Sequence, residues 1–165
     1  MTDYVVSTPI GEIVLSSDGT ALCGLNFAGG KYFPSLPDRP AGQKNDLLEH
    51  TAHELKLYFA GKLREFTVPL RLAGTPFQQK VWAGIAEIPY GRLTSYGELA
   101  AKLKTGARAV GSATGRNPIS IIIPCHRVVG YGGAITGYGG GLDRKRALLT
   151  LEGITIEKDK CFDAK

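Results

Sequence analysis

The sequence predicts an α+β chain in two parts: an N-terminal α/β domain with a small antiparallel sheet, then a mainly helical domain containing a helix-turn-helix. Three observations carry this. Short runs of β-forming residues alternate with turns before residue 30, apolar residues recur at helical spacing from Asp46 onward, and the composition shifts at Gly74-Thr75-Pro76. The 165 residues suffice for one good core or two small ones. The parts are drawn at residues 1–72 and 73–153, with a polar C-terminal tail over 154–165.

Tyr4-Val5-Val6, Glu12 to Leu15 and Ala21 to Phe27 read as strands separated by turns at Pro9-Ile10-Gly11 and Asp18-Gly19. Pro34, Pro37 and Pro40 place a loop between Gly29 and Gly42. From Asp46 to Ala60, Leu47, Leu48, Leu55, Leu57, Tyr58 and Phe59 predict a helix, stopped by Gly61. Phe66 to Leu72 is one more strand or an extended linker. Thr75 can cap a helix that carries Pro76 in its first turn and runs from Phe77 to Glu87. A helix over Ser95 to Leu103, a turn through Lys104-Thr105-Gly106 and a helix over Ala107 to Gly115 follow.

Two helices so joined form either a plain helical hairpin or a nucleic-acid reader. The second helix is nearly free of bulky side chains, holds Gly111 and Gly115 at a cost in helix stability, and has Arg108 and Arg116 near its ends. Such a backbone is suited to close approach, and the arginines to phosphates or stacked bases.

The net charge of +5 is uneven, with seven basic against eight acidic residues over 1–72 and thirteen against seven over 73–165, or −1 against +6. A local excess of this kind fits either a polyanion-binding face or a merely soluble basic surface. No run approaches the roughly 20 apolar residues of a membrane helix, and the start lacks the pattern of a signal peptide, so a cytoplasmic location is expected. Cys23, Cys125 and Cys161 are odd in number and scattered, which fits a reducing compartment, and no CxxC pair suggests structural zinc.

Asn117-Pro118 should end the second helix, and the apolar run Ile119 to Ile123 leads into Pro124-Cys125-His126-Arg127-Val128-Val129. Cys125 there is either a small core residue or a nucleophile. The second reading needs its thiolate, with His126 to take the proton and an acid to orient the imidazole. Glu152, at the end of an apolar helix over Ala147 to Leu151, is the downstream acid best placed for burial. The glycine-rich stretch from Gly130 to Gly141 is a linker or a loop whose backbone lines a pocket, with Tyr138 as its aromatic wall. No Gly-Lys-Ser/Thr follows it, so it is not a phosphate-binding P-loop.

Ordered blocks across residues 77–153 resemble the O6-alkylguanine-DNA alkyltransferases, a family of direct-reversal DNA repair proteins. They are Phe77 to Trp82, Ile88 to Gly91, Ser95-Tyr96, Arg108 to Gly111, Asn117-Pro118, Ile123 to Val128, Gly137-Tyr138 and Leu149 to Gly153. The resemblance implies an N-terminal ribonuclease H-like domain and a C-terminal winged helix-turn-helix domain whose recognition helix enters the minor groove. It implies DNA contacts from Ala107, Arg108, Ala109, Gly111, Ser112 and Gly115, with Arg108 filling the space of a flipped nucleotide. Tyr96 would help rotate that nucleotide and hydrogen-bond its base. Asn117 would be the hinge, Cys125 the nucleophile, His126 its water-linked base and Glu152 the orienting acid. The carbonyls of Cys125 and Val128, the N–H of Gly139 and the ring of Tyr138 would hold the guanine. Ser120 and Gly139 stand where members often carry proline and serine, which implies a roomier pocket.

Some members bind zinc; Cys23, His50 and His53 are read here as a core cysteine and solvated histidines, and no metal or other cofactor is carried over. The expected partner is duplex DNA carrying O6-alkylguanine, bound by a monomer with cooperativity left open. Alkyl transfer to Cys125 leaves a thioether, so a single turnover is expected. One rival is a lesion-recognition protein of the alkyltransferase-like type, which carries another residue at the cysteine position. A cysteine hydrolase is the other, disfavoured because hydrolase pairs come from distant positions. Cys161 is read as an incidental thiol of the tail.

Overall fold

The computed structural model describes residues 1–30 and 45–164, so the proline-containing loop expected between Gly29 and Gly42 lies, from residue 31 on, outside the described residues. The chain divides into two compact units, Met1–Ala73 with Pro118–Ser120, and Gly74–Asn117 with Ile121–Lys165.

In the first unit, β1 (Thr2–Thr8), β2 (Gly11–Ser17) and β3 (Leu22–Phe27) form an antiparallel sheet in the order β1-β2-β3. Ile13, Val14 and Leu15 of the central strand are fully buried. The β2–β3 register shifts between Ser16, opposite Gly24, and Ser17, opposite Leu22, leaving Cys23 as a bulge. On its other edge β3 makes two isolated parallel bridges, Leu22 to Leu70 and Leu25 to Ile119. Leu22 N–H donates to Pro69 O at 2.8 Å and Leu25 N–H to Pro118 O at 2.9 Å. Phe66 to Leu72 is thus a linker with a single bridge, because Pro69 has no N–H with which to extend a ladder. Helix α1 (Asp46–Phe59) starts at Asn45, whose side chain accepts from Leu48 N–H, and buries Leu48, Thr51, Leu55 and Tyr58 on one face against β1 and β2.

The second unit opens with α2 (Pro76–Ala86), where Thr75 and Gln78 cap each other's backbone. Trp82 on α2 is buried, and its Nε1–H donates to Ala113 O at 2.8 Å. After the two-residue strand β4 (Thr94–Ser95), the Ser95–Glu98 capping box starts α3 (Tyr96–Lys102). The turn through Leu103 to Gly106 leads into α4 (Ala107–Gly115), completing the helix-turn-helix. A further two-residue strand, β5 (Val128–Val129), pairs in parallel with β4.

Helix α5 (Leu142–Leu151) begins five residues before the expected Ala147, because the charged run Asp143 to Arg146 carries no apolar periodicity. Residues 154–162 are not a loose polar tail. β6 (Thr155–Glu157) and β7 (Lys160–Phe162) form a hairpin whose turn residues, Lys158 and Asp159, both have positive φ, as a type I′ turn requires. Ile154 and Cys161 are buried with Val129 and Leu149, so the thiol of Cys161 is a core group. Among the described residues, no helix is long and apolar enough to cross a membrane.

A Cβ built at Gly74 would lie 2.5 Å from Cη2 of Trp82, and the ring is held by its bond to α4. Gly74→Ala is therefore expected to lower the unfolding free energy by about 1–3 kcal/mol in urea titrations, the usual range for overpacking. An unchanged midpoint would show that Trp82 does not hold α2 and α4 in register.

Candidate active site and nucleic-acid interface

The apolar run before the cysteine is a set of tight turns in which Ile119, Ile121 and Ile123 are each buried. Ile121 sits at φ 70°, a left-handed conformation costly for a β-branched residue. Pro124 follows at φ −80° and ψ 64°, an inverse γ-turn that brings Cys125 N–H to 2.7 Å from Ile123 O. The Asn117 side chain donates Nδ2–H to the same carbonyl at 2.8 Å. Residue 117, just past the end of α4, thus braces the turn that presents Cys125.

Cys125 to Arg127 form one turn of 3-10 helix, and all three side chains are buried. The carboxylate of Glu152, the residue that ends α5, meets both of Cys125's downstream neighbours. It lies 2.7 Å from His126 Nε2 and accepts from Arg127 Nε–H at 2.7 Å and Nη2–H at 3.0 Å. Gly91 N–H adds a longer bond of 3.3 Å. Arg127 also donates Nη1–H to Ile88 O at 2.6 Å and lies against the Tyr90 ring.

Burial would raise the Glu152 pKa, but the hydrogen bonds from His126 and Arg127 and the charge of Arg127 hold it well below the usual carboxylate range. An ionised carboxylate only accepts, so Nε2 of His126 carries the ring proton and Nδ1 presents a lone pair. Nδ1 is buried without a hydrogen-bond partner among the described residues. Burial lowers the His126 pKa against the pull of Glu152, which keeps the ring neutral. The Cys125 thiol is pushed up by burial, while its bond with Asn117 and the charge of Lys145 work the other way.

Tyr96, the first residue of α3, is half-buried; burial raises its pKa against the influence of the neighbouring Thr136 hydroxyl, and it lies in the field of Cys125. The Tyr96 ring passes beside Gly111 of α4, 3.9 Å from where a Cβ would stand. Helix α4 buries Val110, Ala113 and Thr114 and exposes Ala107, Arg108, Ala109, Ser112 and Gly115. Its outward face is therefore small side chains with one arginine at the first turn. Arg108 lies on that face and outside the Cys125 cluster.

The glycine-rich stretch is a seated loop rather than a slack linker. Gly130 N–H donates to Ala134 O at 2.7 Å, and Ile135 N–H donates to Asp159 O of the C-terminal hairpin at 2.9 Å. Gly133, at φ 84°, passes so close that a Cβ would stand 2.5 Å from Cys161 O. Tyr138 is half-buried and its carbonyl accepts from Gly141 N–H, while the space around Gly139 is open. His50 contacts Thr67 and Glu54, and among the described residues no group of three side chains is arranged to hold a metal.

Sequence reasoning assigned no role to two residues of this cluster. Arg127 is one, and its guanidinium grips the Glu152 carboxylate and Ile88 O. Lys145, fully buried, donates Nζ–H to Val128 O at 2.7 Å and to Thr136 O at 2.8 Å. Its signal was present in the spacing: Lys145, Leu148, Leu149 and Glu152 lie at i, i+3, i+4 and i+7, on one helix face.

Fold and site together define a two-part α+β protein in which a helix-turn-helix with a small-residue face accompanies a buried Cys-His-Glu cluster. Residues 76–154 match the family described as 6-O-methylguanine DNA methyltransferase, DNA binding domain, and residues 2–72 match its ribonuclease-like domain. The methylated-DNA–protein-cysteine methyltransferase of Mycobacterium tuberculosis is 48% identical over 153 residues, covering 89% of each chain. That of Methanosarcina acetivorans is 44% identical over 151 residues, 90% of this chain and 96% of its own. A crystal structure of Mycobacterium tuberculosis OGT in complex with DNA superposes with a TM-score of 0.78 at 45% identity over 90% of each chain. An O6-methylguanine DNA methyltransferase from Methanococcus jannaschii gives 0.66 at 30% identity, over 96% of this chain and all of the other. The chain belongs to the 6-O-methylguanine DNA methyltransferase family, as the sequence resemblance implied.

Two outcomes follow from the buried cluster. Glu152→Ala leaves Arg127 buried without its carboxylate and is expected to cost about 3–5 kcal/mol of unfolding free energy in urea titrations; a loss below 1 kcal/mol, on the scale of an exposed pair, would contradict it. For pH, the His126 pKa in the folded chain lies below the ordinary 6.5. The unfolded chain therefore takes the proton first, and the contribution of the neutral ring is complete above about pH 6.5 and lost as pH falls through the folded value. Glu152 adds the same sign in a lower window, below its ordinary 4.5. Urea midpoints should decline from neutral pH towards pH 5, and His126→Gln should flatten that decline; an equal slope in the variant would remove His126 as its cause.

Proposed function

We propose that this chain repairs alkylated DNA by moving the alkyl group from O6 of guanine to its own Cys125, one protein molecule being consumed per lesion. The observation that carries this is the buried 2.7 Å contact of His126 with Glu152, which leaves Nδ1 of the residue beside Cys125 as a lone pair. O4-alkylthymine, whose alkyl group also sits on an exocyclic oxygen, is left open as a second substrate. The reading places the protein in the cytoplasm as a monomer, with a domain over 1–72 and a DNA-binding, active-site domain over 73–153.

On this reading α4 enters the minor groove, where bulky side chains at Ala107, Ala109, Gly111, Ser112 and Gly115 would hold the backbone away. The damaged nucleotide leaves the stack at a cost of a few kcal/mol, least when its pairing is already impaired. Arg108 fills the gap, and Tyr96 assists rotation and hydrogen-bonds the base. The carbonyls of Cys125 and Val128, the N–H of Gly139 and the Tyr138 ring receive the guanine. Asn117, which braces the Cys125 turn, is the hinge between reader helix and nucleophile.

His126 Nδ1 takes the thiol proton, directly or through one water, and Glu152 stabilises the imidazolium. The Cys125 sulfur then attacks the alkyl carbon. An S–C bond forms, the C–O6 bond breaks with its electrons passing to the purine, and a proton returned through Tyr96 restores neutral guanine. The thioether product offers water no carbonyl to attack, so Cys125 is not regenerated.

Incubation with a duplex containing O6-methylguanine should add one methyl to the Cys125 peptide with one-to-one stoichiometry, read by mass spectrometry. Repeated turnover would indicate hydrolysis, and binding without modification a lesion sensor. Cys125→Ala should abolish transfer while duplex affinity stays within a few-fold of the parent; loss of binding would undermine the separation of reader helix from nucleophile. Arg108→Ala should slow repair in duplex more than in single strands, and equal slowing in both would argue against its gap-filling role.

A further inference from the structure

Lys145 is the fully buried cation that the mechanism above leaves unused. Among the described residues no carboxylate pairs with it: Glu152 is taken by Arg127 and His126, and the Lys145 ammonium donates to two backbone carbonyls. A buried ammonium without a counter-charge is expensive, and carbonyl dipoles offset only part of that cost. The groups facing it are Cys125 and His126 of the 3-10 turn and Cys161 of β7, with His126 held neutral by burial. Cys161 lies in an apolar cluster.

The carbonyls chosen are also informative. Val128 O ends the turn that presents Cys125, and Thr136 O belongs to the glycine loop whose side chain at the same residue meets Tyr96. Lys145 and Glu152 lie two helical turns apart on one face of α5, about 10 Å along the axis. They meet opposite ends of the same short segment, the acid at His126 and Arg127 and the base at Val128.

We propose that Lys145 is a positioning residue for the transfer reaction, whose ammonium clamps the Val128 and Thr136 carbonyls together and serves as the counter-charge of the Cys125 thiolate. Ionisation of Cys125 supplies the negative charge that the buried ammonium lacks. In keeping with this, burial lowers the Lys145 pKa to about 8, while Cys125 and then Cys161 act in the opposite direction. The proposal rests on Cys125 being the reactive group, so its test uses a small electrophile that needs neither DNA nor a methylated base.

In a Cys161→Ser background, which removes the other thiol facing Lys145, iodoacetamide modification of Cys125 is followed by the mass of its own peptide from about pH 6 to about pH 10, a span that brackets ordinary thiol ionisation. Lys145→Met should reduce the rate near neutral pH about tenfold, a one-unit rise in the thiol midpoint, with the alkaline plateau unchanged. Lys145→Arg, which keeps the charge, should retain the parent midpoint. An unmoved midpoint in Lys145→Met, or an equal displacement in Lys145→Arg, overturns the proposal. Should Lys145→Met not fold, the natural chain serves: the NMR titration of Lys145 Cε should move to lower pH once Cys125 is carbamidomethylated, because a thioether carries no charge. The same midpoint before and after modification overturns the proposal. A displaced thiol profile without methyl transfer from methylated duplex would retire the repair reading and leave the Lys145 assignment standing.

Discussion

The Glu152 carboxylate, buried at the C-terminal end of α5, holds three separate pieces of the second unit. Its contacts reach His126 and Arg127 of the 3-10 turn and the backbone of Gly91, and Arg127 carries the connection on to Ile88 O. Removing two charges from water costs several kcal/mol per ion before they attract one another, and that cost is recovered only where the remaining donors and acceptors are also satisfied. Here they are: four N–H groups converge on two oxygens. Because the carboxylate stays ionised, it dictates which imidazole nitrogen bears the proton. A structural ion pair and the protonation state of the residue next to Cys125 are therefore one arrangement.

Around that anchor, the cysteine is placed by backbone rather than by side-chain packing. Pro124 has a ring-locked φ compatible with an inverse γ-turn, and Asn117 supplies a second donor to the carbonyl that closes it. The left-handed conformation of Ile121 is the cost of entering this turn from the preceding run. Helix α4 shows a comparable exchange. Its outward face forgoes side chains that would stabilise a helix, and the loss is offset by burial of Val110, Ala113 and Thr114 and by the Trp82 bond from α2. The C-terminal hairpin contributes in turn, since its backbone seats the glycine loop at Gly133 and Ile135.

Much of this was legible in the residues alone. The capping signal at Thr75, the glycine-containing turn before Ala107, the small-residue helix and the Pro-Cys-His-Arg run all act through local chemistry, and local chemistry is written in sequence. The β1–β3 strands were visible for the same reason, as short β-rich runs between turns. The two-residue strands β4 and β5 were not, because a pair that short has no periodicity and exists only where two distant segments meet. The hairpin over 155–162 was read as a tail because its charged residues outnumber its apolar ones, while Ile154 and Cys161 face inward.

The sequence by itself determined the family, the helix-turn-helix and the identity of the reactive cysteine candidate, since each depends on neighbouring residues or on motifs in fixed order. Tertiary structure alone decided the partners of Glu152, the tautomer of His126 and the burial of Lys145 between two carbonyls. Those depend on which groups share a low-dielectric space, where an unpaired charge is costly and every polar atom must find a partner. That condition is set by the packing of segments far apart in the chain.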